Sequence, residues 1–208
     1  MMSWANRSAP GAVQVEDGFL RSRGLGAELV PPLSLVLDDC GIYYDPTRIS
    51  RLEHLIHKAA KGLRVDQIER SERLSALIVE AGLSKYNLLG DLPTLPAGHR
   101  ILVPGQVEDD ASILTGSPDI TSNAELLRRT REANPEAVIL WKPHPDVQAG
   151  LRKGAIADPL RWADITLDSG DISLILQNVD EVWTLTSLTG FEALMRGCRV
   201  TTLGVPFY

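Results

Sequence analysis

The chain has 208 residues, of which 44% are hydrophobic and 23% charged, and its net charge is −6. This length and composition predict one large or two small packed domains. The negative charge argues against nucleic acid as a partner. Any phosphate that the protein binds must therefore be held by a local site, because a broad basic surface is lacking.

Cysteine usage and hydropathy indicate where in the cell the protein is expected. Cys40 and Cys198 are the two cysteines, and they lack the spacing of zinc ligands, so we expect two buried thiols in a reducing compartment and no metal. No run of the sequence approaches the roughly 18 apolar residues of a membrane span. The start lacks a basic segment followed by an apolar one. We therefore predict a cytoplasmic protein, with peripheral contact to the inner membrane left open.

The first part of the chain is rich in glycine, proline and short apolar runs. Apolar alternation predicts strands at residues 12–15 and 33–37. The second strand is expected to form a hairpin with residues 42–44, turned at residues 39–41. The start, at residues 1–8, runs quickly into the first strand, as an internal segment of a longer protein would.

Two helices and a linker complete this part. Ser50 is a predicted N-cap, because apolar residues three and four apart follow it. A second helix is predicted at residues 66–82, with four apolar side chains on its inner side: Ile68, Leu74, Leu77 and Ile78. Proline and glycine at residues 92–98 then predict a linker, so we place a boundary between residues 98 and 99.

From Arg100 onward, apolar runs alternate with helical patterns. The runs predict strands at residues 101–103, 137–141, 181–184 and 199–203. The helices between them are predicted at residues 123–132, 171–177 and 190–196, with Ser122 or Asn123 capping the first. This alternation, with strands apolar on both faces, is typical of a parallel doubly wound α/β sheet. Ligands of such sheets bind at the carboxyl ends of the strands.

Hydroxyl groups cluster where the helix at residues 190–196 is expected to begin. Thr186, Ser187 and Thr189 precede Gly190, and a helix N-terminus offers free N–H groups that suit a phosphate. Glu192 in the first turn could accept hydrogen bonds from a ribose. The alternative is an ordinary capping box from Thr189 to Glu192.

Two further polar segments follow predicted strands. Lys142 and His144 come directly after residues 137–141, in a loop stiffened by two prolines. A protonated or hydrogen-donating His144 could bind phosphate or assist a leaving group; the alternative is a loop histidine without function. Gln106 follows residues 101–103 and could line the same cleft, or belong to an ordinary polar loop.

The carboxylates Glu16 and Asp17 precede Gly18. Adjacent carboxylates repel each other, so one can be protonated while the other stays ionised, which fits a nucleophile or base with a neighbouring acid. The alternative is a turn, because Asp-Gly is a favoured turn pair. Arg21 and Arg23 follow closely and could grip a substrate carboxylate.

Several of these stretches closely resemble the KpsC-type capsular polysaccharide proteins. The matching segments are residues 15–22, 32–39, 41–45, 104–110, 141–145 and 185–192. That resemblance implies a retaining β-Kdo glycosyltransferase that uses CMP-Kdo and builds a short Kdo linker on a phosphatidylglycerol-type lipid. Proteins of this family contain two related modules of the GT-B kind.

The resemblance also implies residue roles. Asp17 would be the nucleophile or base, with Glu16 as its partner. His144, Ser187 and Thr189 would hold the CMP phosphate and Glu192 the ribose. Retention at a keto-sugar carbon requires an enzyme carboxylate. The departing phosphate needs charge neutralisation, which does not have to come from a metal, and no cofactor is expected beyond the donor. The remaining donor-site candidates are Lys142, Thr186 and Gln106.

In fold terms the resemblance implies an α/β, GT-B-like glycosyltransferase fragment. Residues 1–98 would be a partial acceptor-side and inter-domain segment, and residues 99–208 a truncated Rossmann-like nucleotide-binding domain. The expected partners are the nucleotide-sugar donor, a lipid-linked acceptor at the inner membrane surface and other capsule export proteins. We expect the isolated chain to be weakly active or inactive. The alternatives are an epimerase or hydrolase of similar shape, and a non-catalytic export scaffold.

Overall fold

The computed structural model describes residues 12–208; residues 1–8, on which the expectation of an internal start depends, lie outside this range. The first elements are the strands β1 (Gln14–Asp17) and β2 (Leu35–Asp38). They pair antiparallel, with Val15 opposite Leu37. The predicted hairpin between the second strand and residues 42–44 is therefore wrong.

The side chain of Asp38 explains why no hairpin forms there. Its Oδ1 accepts the backbone N–H groups of Cys40 and Gly41, at 2.8 and 2.9 Å. Its Oδ2 accepts the N–H of Arg51 at 2.8 Å. These bonds turn the chain out of β2 toward the next helix, so residues 42–44 form a turn. Cys40 in this segment is exposed, so the prediction of a buried thiol is wrong there.

The helices α1 (Arg51–Ala60) and α2 (Val65–Glu80) follow. Ser50 caps α1 as predicted, in a capping box whose Ser50 Oγ accepts the N–H of Glu53 at 3.1 Å. The predicted inner side of α2 is wrong, because no α2 residue is buried by the described part of the chain and Leu77 is 55% exposed. No helix within residues 12–208 is long and apolar enough to cross a membrane.

A parallel five-stranded sheet forms the centre of the fold, with the order β5-β4-β3-β6-β7. Its strands are β3 (Arg100–Pro104), β4 (Val138–Lys142), β5 (Ile165–Thr166), β6 (Glu181–Thr184) and β7 (Arg199–Thr202). All four neighbouring pairs are parallel. The predicted α/β class is confirmed, and the short β5 is the one sheet strand that the sequence did not predict.

Five helices accompany the sheet: α3 (Ala111–Gly116), α4 (Asn123–Ala133), α5 (Pro145–Gln148), α6 (Ile172–Leu176) and α7 (Leu188–Leu194). The helices α4, α6 and α7 were predicted, and Ser122 caps α4. The cap of α7 is Ser187, so the alternative box starting at Thr189 is wrong. The short helices α3 and α5, which the sequence did not predict, are capped by Asp110 and His144.

Both faces of the sheet are covered. Trp141 and Leu126 belong to the apolar cluster between the sheet and α4, whereas Leu140 and Ile175 belong to the cluster on the α6 side. This two-sided burial is the reason why the strands are continuous apolar runs. The strand order reverses between β3 and β6, and the loops that follow these two strands flank the crevice where ligands of doubly wound sheets bind.

Aromatic rings pack residues 14–44, the segment that contains β1 and β2, against the carboxyl end of the chain. The Phe19 ring stacks on Phe207 at 5.1 Å between centroids and meets the edge of Tyr43 at 5.1 Å. Phe191 of α7 lies 5.8 Å from Phe19, and Tyr208 lies 5.2 Å from Phe207. We call these five residues the aromatic cluster. It holds β1 and its following loop close to the start of α7.

Candidate functional site

Gln106 joins the loops that follow β3 and β6. Its Oε1 accepts the N–H groups of Leu185 and Thr186, at 3.2 and 3.1 Å, and the hydroxyl of Thr184 at 3.0 Å. Its Nε2 donates to Thr186 Oγ1 at 3.0 Å. Gln106 is 7% exposed. It therefore shapes the crevice through bonds to the protein itself, and its contact with a donor stays a prediction.

Asn123 fixes the loop after β3 through its side-chain amide. Its Nδ2 donates to the carbonyls of Gln106 and Gly154, at 2.7 and 2.8 Å, and its Oδ1 accepts the Gln106 N–H at 2.9 Å. The residue is 1% exposed. Sequence analysis considered Asn123 as a helix cap alone and missed this role. No sequence pattern marks it, since a buried loop-binding amide is defined by tertiary contacts.

The predicted hydroxyl cluster lies together at the start of α7. Ser187 Oγ accepts the N–H of Thr189 at 3.2 Å and donates to Thr189 Oγ1 at 3.2 Å. The Thr186 hydroxyl donates to Ser112 Oγ at 3.3 Å. These groups stand at the carboxyl end of β6, beside the crevice. Their binding of phosphate stays a prediction.

His144 is held in one tautomer by the helix that it caps. The backbone N–H of Asp146 donates to His144 Nδ1 at 3.2 Å, so the ring proton is on Nε2. Burial lowers the pKa of His144; Asp146 and Asp110 oppose this effect, and Lys85 adds to it. At neutral pH the ring is therefore an uncharged Nε2–H donor.

The loop after β3 passes directly beside His144. A Cβ atom placed on Gly105 would lie 3.0 Å from His144 N and 2.9 Å from the Trp141 ring. Gly105 N also donates to the Lys142 carbonyl at 2.7 Å. Only glycine fits at this close approach, which brings the two loops that carry Gln106 and His144 together.

Lys142 has different surroundings from His144. Its Nζ donates to the Ser169 carbonyl at 3.4 Å. Burial lowers the pKa of Lys142, against the opposing effect of Asp168 and Asp171. The ammonium group thus lies beside the loop after β5, and the predicted role of Lys142 in donor binding stays untested.

The carboxylate pair stands at the end of β1. Asp17 Oδ2 forms an ion pair with Arg21 Nε, and the Asp17 side chain is 29% exposed. Glu16 Oε1 accepts the Asp17 N–H at 2.9 Å. Burial raises the pKa of Glu16, in the direction expected for the more easily protonated member of a pair. Asp17 thus has one oxygen engaged by Arg21.

The two arginines differ. Arg21 is 7% exposed, and its Nη1 donates to Ser22 Oγ and to the Val30 carbonyl, both at 2.9 Å. With Nε bound to Asp17, most of the Arg21 guanidinium is occupied by the protein. Arg23 is exposed. The predicted grip on a substrate carboxylate stays a prediction, and Arg23 has more of its donors available for it.

Glu192 connects α7 to the segment that directly follows α2. Its Oε1 accepts the backbone N–H of Lys85 at 2.7 Å, and the residue is 8% exposed. Burial raises the pKa of Glu192 to about 7. The carbonyl of Lys85 in turn accepts the N–H groups of Arg21 and Ser22, at 2.9 and 3.2 Å. The predicted ribose contact of Glu192 is untested.

Charges from separate parts of the chain act on one another in this region. The Lys85 ammonium acts on Glu16 and on His144, and so does the Asp110 carboxylate. Lys85 also interacts with Asp17. The carboxylate pair and His144, far apart in sequence, therefore share two charged neighbours. We call Glu16, Asp17, Lys85, Asp110 and His144 the charged site.

Comparisons with known proteins agree with this fold. The family described as "Capsule polysaccharide biosynthesis protein" matches residues 2–96 and 94–208. The chain belongs to this family. Its resemblance to KpsC-type proteins, drawn from the short motifs, is confirmed by two solved structures from Thermosulfurimonas dismutans.

Those structures are KpsC β-Kdo transferases. The 2,4 transferase is 36% identical with a TM-score of 0.81, over 94% of this chain and 62% of that one. The 2,7 transferase is 39% identical with a TM-score of 0.76, over 95% and 59%. A curated relative, the capsule polysaccharide modification protein LipA of Neisseria meningitidis, is 49% identical over 94% of this chain and 28% of its own length. The chain therefore spans only part of each relative.

Proposed function

We propose that this chain carries the donor site and reaction centre of a retaining β-Kdo transferase module. The donor would be CMP-Kdo, and the acceptor a glycolipid of the phosphatidylglycerol type at the inner membrane surface, in synthesis of the capsule linker. Residues 1–98 would belong to the acceptor side and residues 99–208 to the nucleotide-binding side. The β-Kdo transferase activity of the two KpsC structures supports this proposal, which concerns a part of such a protein.

The observation that carries the proposal is the convergence of the charged site. The charges of Lys85 and Asp110 both act on Glu16 and on His144. The carboxylate pair and the neutral imidazole donor thus share two charged neighbours, and His144 follows β4 at the carboxyl end of the doubly wound sheet. A retaining transferase for a nucleotide-linked keto sugar needs this combination, because it must attack the anomeric carbon and release a phosphate.

In the proposed reaction, an Asp17 oxygen attacks the anomeric carbon of Kdo. The bond from that carbon to the CMP phosphate oxygen breaks, and the electron pair leaves with the phosphate. His144 Nε2–H donates a hydrogen bond to the departing phosphate, which stabilises its charge without a metal. The acceptor hydroxyl then attacks the same carbon, Asp17 leaves, and Glu16 takes the hydroxyl proton. The raised pKa of Glu16 makes it a stronger base than an exposed glutamate.

The test compares wild type with Asp17→Asn in the full-length protein, supplied with CMP-Kdo and the lipid acceptor. Asparagine keeps an oxygen for the buried Arg21, so the fold should be retained. We expect Kdo transfer to fall on the order of a thousandfold or more, with CMP affinity little changed. Mass spectrometry of wild type with donor alone should detect Kdo bound to the peptide that contains Asp17.

Asp66→Asn, at an exposed position of α2, is the matched control and should leave transfer unchanged. Transfer by Asp17→Asn at more than about a tenth of the wild-type rate would contradict the role of Asp17. Release of Kdo to water at the same rate with and without acceptor would favour a hydrolase instead.

A further inference from the structure

Lys85 has its backbone fixed at both polar groups. Its N–H donates to Glu192 Oε1 of α7 at 2.7 Å, and its carbonyl accepts the N–H groups of Arg21 and Ser22. The residue is thus tied at once to the helix that begins at the hydroxyl cluster and to the loop that follows the carboxylate pair. A lysine in an ordinary surface loop has no need for such anchoring.

The Lys85 side chain is partly buried, and its ammonium group is available to a ligand. Nζ lies 5.3 Å from the centre of the Tyr86 ring. Within residues 12–208, it forms neither a hydrogen bond nor an ion pair with another side chain. A cation partly removed from water is costly unless an anion contacts it. The neighbouring acids Glu16 and Asp17 balance its charge from a distance.

Two other cations of this region already have carboxylate partners. Arg21 is paired with Asp17, and Arg152 donates to Asp109 Oδ1 at 3.0 Å. Of the two cations whose charge acts on His144, Lys85 and Arg152, Lys85 is therefore the one left for a ligand. Without it, an anionic donor entering the charged site would face three carboxylates.

We propose that Lys85 is a substrate-binding residue whose ammonium contacts an oxyanion of the donor, next to the reacting carbon. This inference rests on the proposed function, because the donor class defines the oxyanion. Two groups have the required chemistry: the phosphate of the nucleotide and the carboxylate of the sugar. Both are bonded to the carbon that Asp17 would attack, so contact with either orients that carbon.

The experiment measures the binding of CMP, cytidine and free Kdo to the full-length protein by calorimetry. Wild type is compared with Lys85→Met and Lys85→Gln, so that one neutral variant remains if the other does not fold. Lys85→Arg keeps the charge, and Lys61→Met is the control at an exposed site just after α1. Thermal unfolding verifies that each variant is folded.

We expect the neutral variants to lose about tenfold or more in affinity for CMP, for free Kdo, or for both. A loss for CMP with cytidine unaffected assigns the phosphate; a loss for Kdo assigns the carboxylate. Lys85→Arg should restore part of the affinity, which a purely structural role would not require. The two neutral variants binding both CMP and Kdo as wild type does would overturn the role of Lys85 and leave the proposed function intact. If wild type binds neither CMP nor free Kdo, the proposed function is overturned, and this inference with it.

Discussion

Replacing Glu192 by glutamine tests the energetic cost of the buried carboxylate. Glu192 is 8% exposed, and its Oε1 accepts the backbone N–H of Lys85 at 2.7 Å. Glutamine has nearly the same shape and keeps an oxygen for that hydrogen bond. The variant therefore removes the ionisable proton while leaving the contact between α7 and the segment that follows α2 in place.

The size of the effect follows from the pKa. Burial raises the pKa of Glu192 from 4.5 to about 7 in the folded protein. Below about pH 4.5 the carboxyl group is protonated in both folded and unfolded chains, so its ionisation costs nothing. As the pH rises from about 4.5 to about 7, the unfolded chain ionises first, and the free energy of unfolding falls by about 3 kcal/mol. Above about pH 7 the full loss is present.

Urea unfolding of wild type and Glu192→Gln at several pH values, from about 5 to about 8, measures this difference. We expect the variant to gain stability relative to wild type as the pH rises, and the gain to level off above about pH 7. Glu80→Gln, at an exposed position of α2, controls for the change in net charge. A stability difference that is independent of pH across this range would refute the reasoning.

Two further changes test the loops of the site. Asn123→Ala should lower the free energy of unfolding by about 3 kcal/mol, because it leaves the N–H and C=O of Gln106 and the carbonyl of Gly154 without their buried partner. Asn178→Ala, which removes one exposed hydrogen bond, should cost about 1 kcal/mol or less; equal losses in urea unfolding would argue against the assigned role of Asn123. Gly105→Ala should lower the unfolding temperature and weaken CMP binding together, since the added methyl group forces apart the loops after β3 and β4. Unchanged values of both would show that this close approach is unnecessary.

The parallel sheet could be predicted because its strands are buried on both faces. The segments around Leu102, Leu140 and Val182 are short apolar runs, and each ends within about one residue of the observed strand. Ser50 and Ser122 marked helix starts because a side-chain cap is a local interaction. For these strands and helix starts the sequence pattern was sufficient, because it lies within the element itself.

The pairing of β1 with β2 could not be predicted in this way. The two strands are separated by a loop of seventeen residues, and the nearer apolar run at residues 42–44 gave the wrong partner. Asp38 determined the outcome through three backbone hydrogen bonds. The inner side predicted for α2 failed for a related reason: an apolar stripe predicts a buried face only where another part of the chain covers it.

For the charged site, short motifs in the sequence singled out Glu16, Asp17 and His144 as candidates, but no motif singled out Lys85. Glu16, Asp17 and His144 stand in recognisable sequence contexts. Lys85 follows α2 in a segment with no repeated pattern, and its surroundings depend on contacts with α7 and with the loop after β1. Such a residue is visible only in three dimensions.

The aromatic cluster gives the protein an optical property of its own. Phe19, Tyr43 and Phe207 are held within 5.1 to 5.5 Å of one another at fixed angles, and rings in a rigid asymmetric setting produce circular dichroism in the near ultraviolet. Detachment of residues 14–44 would remove the contribution of Phe19 and Tyr43 to that signal, while the buried Trp141 kept its own and the helices and strands kept theirs in the far ultraviolet. Circular dichroism could therefore follow the detachment of this segment separately from the unfolding of the helices and strands, in unlabelled protein.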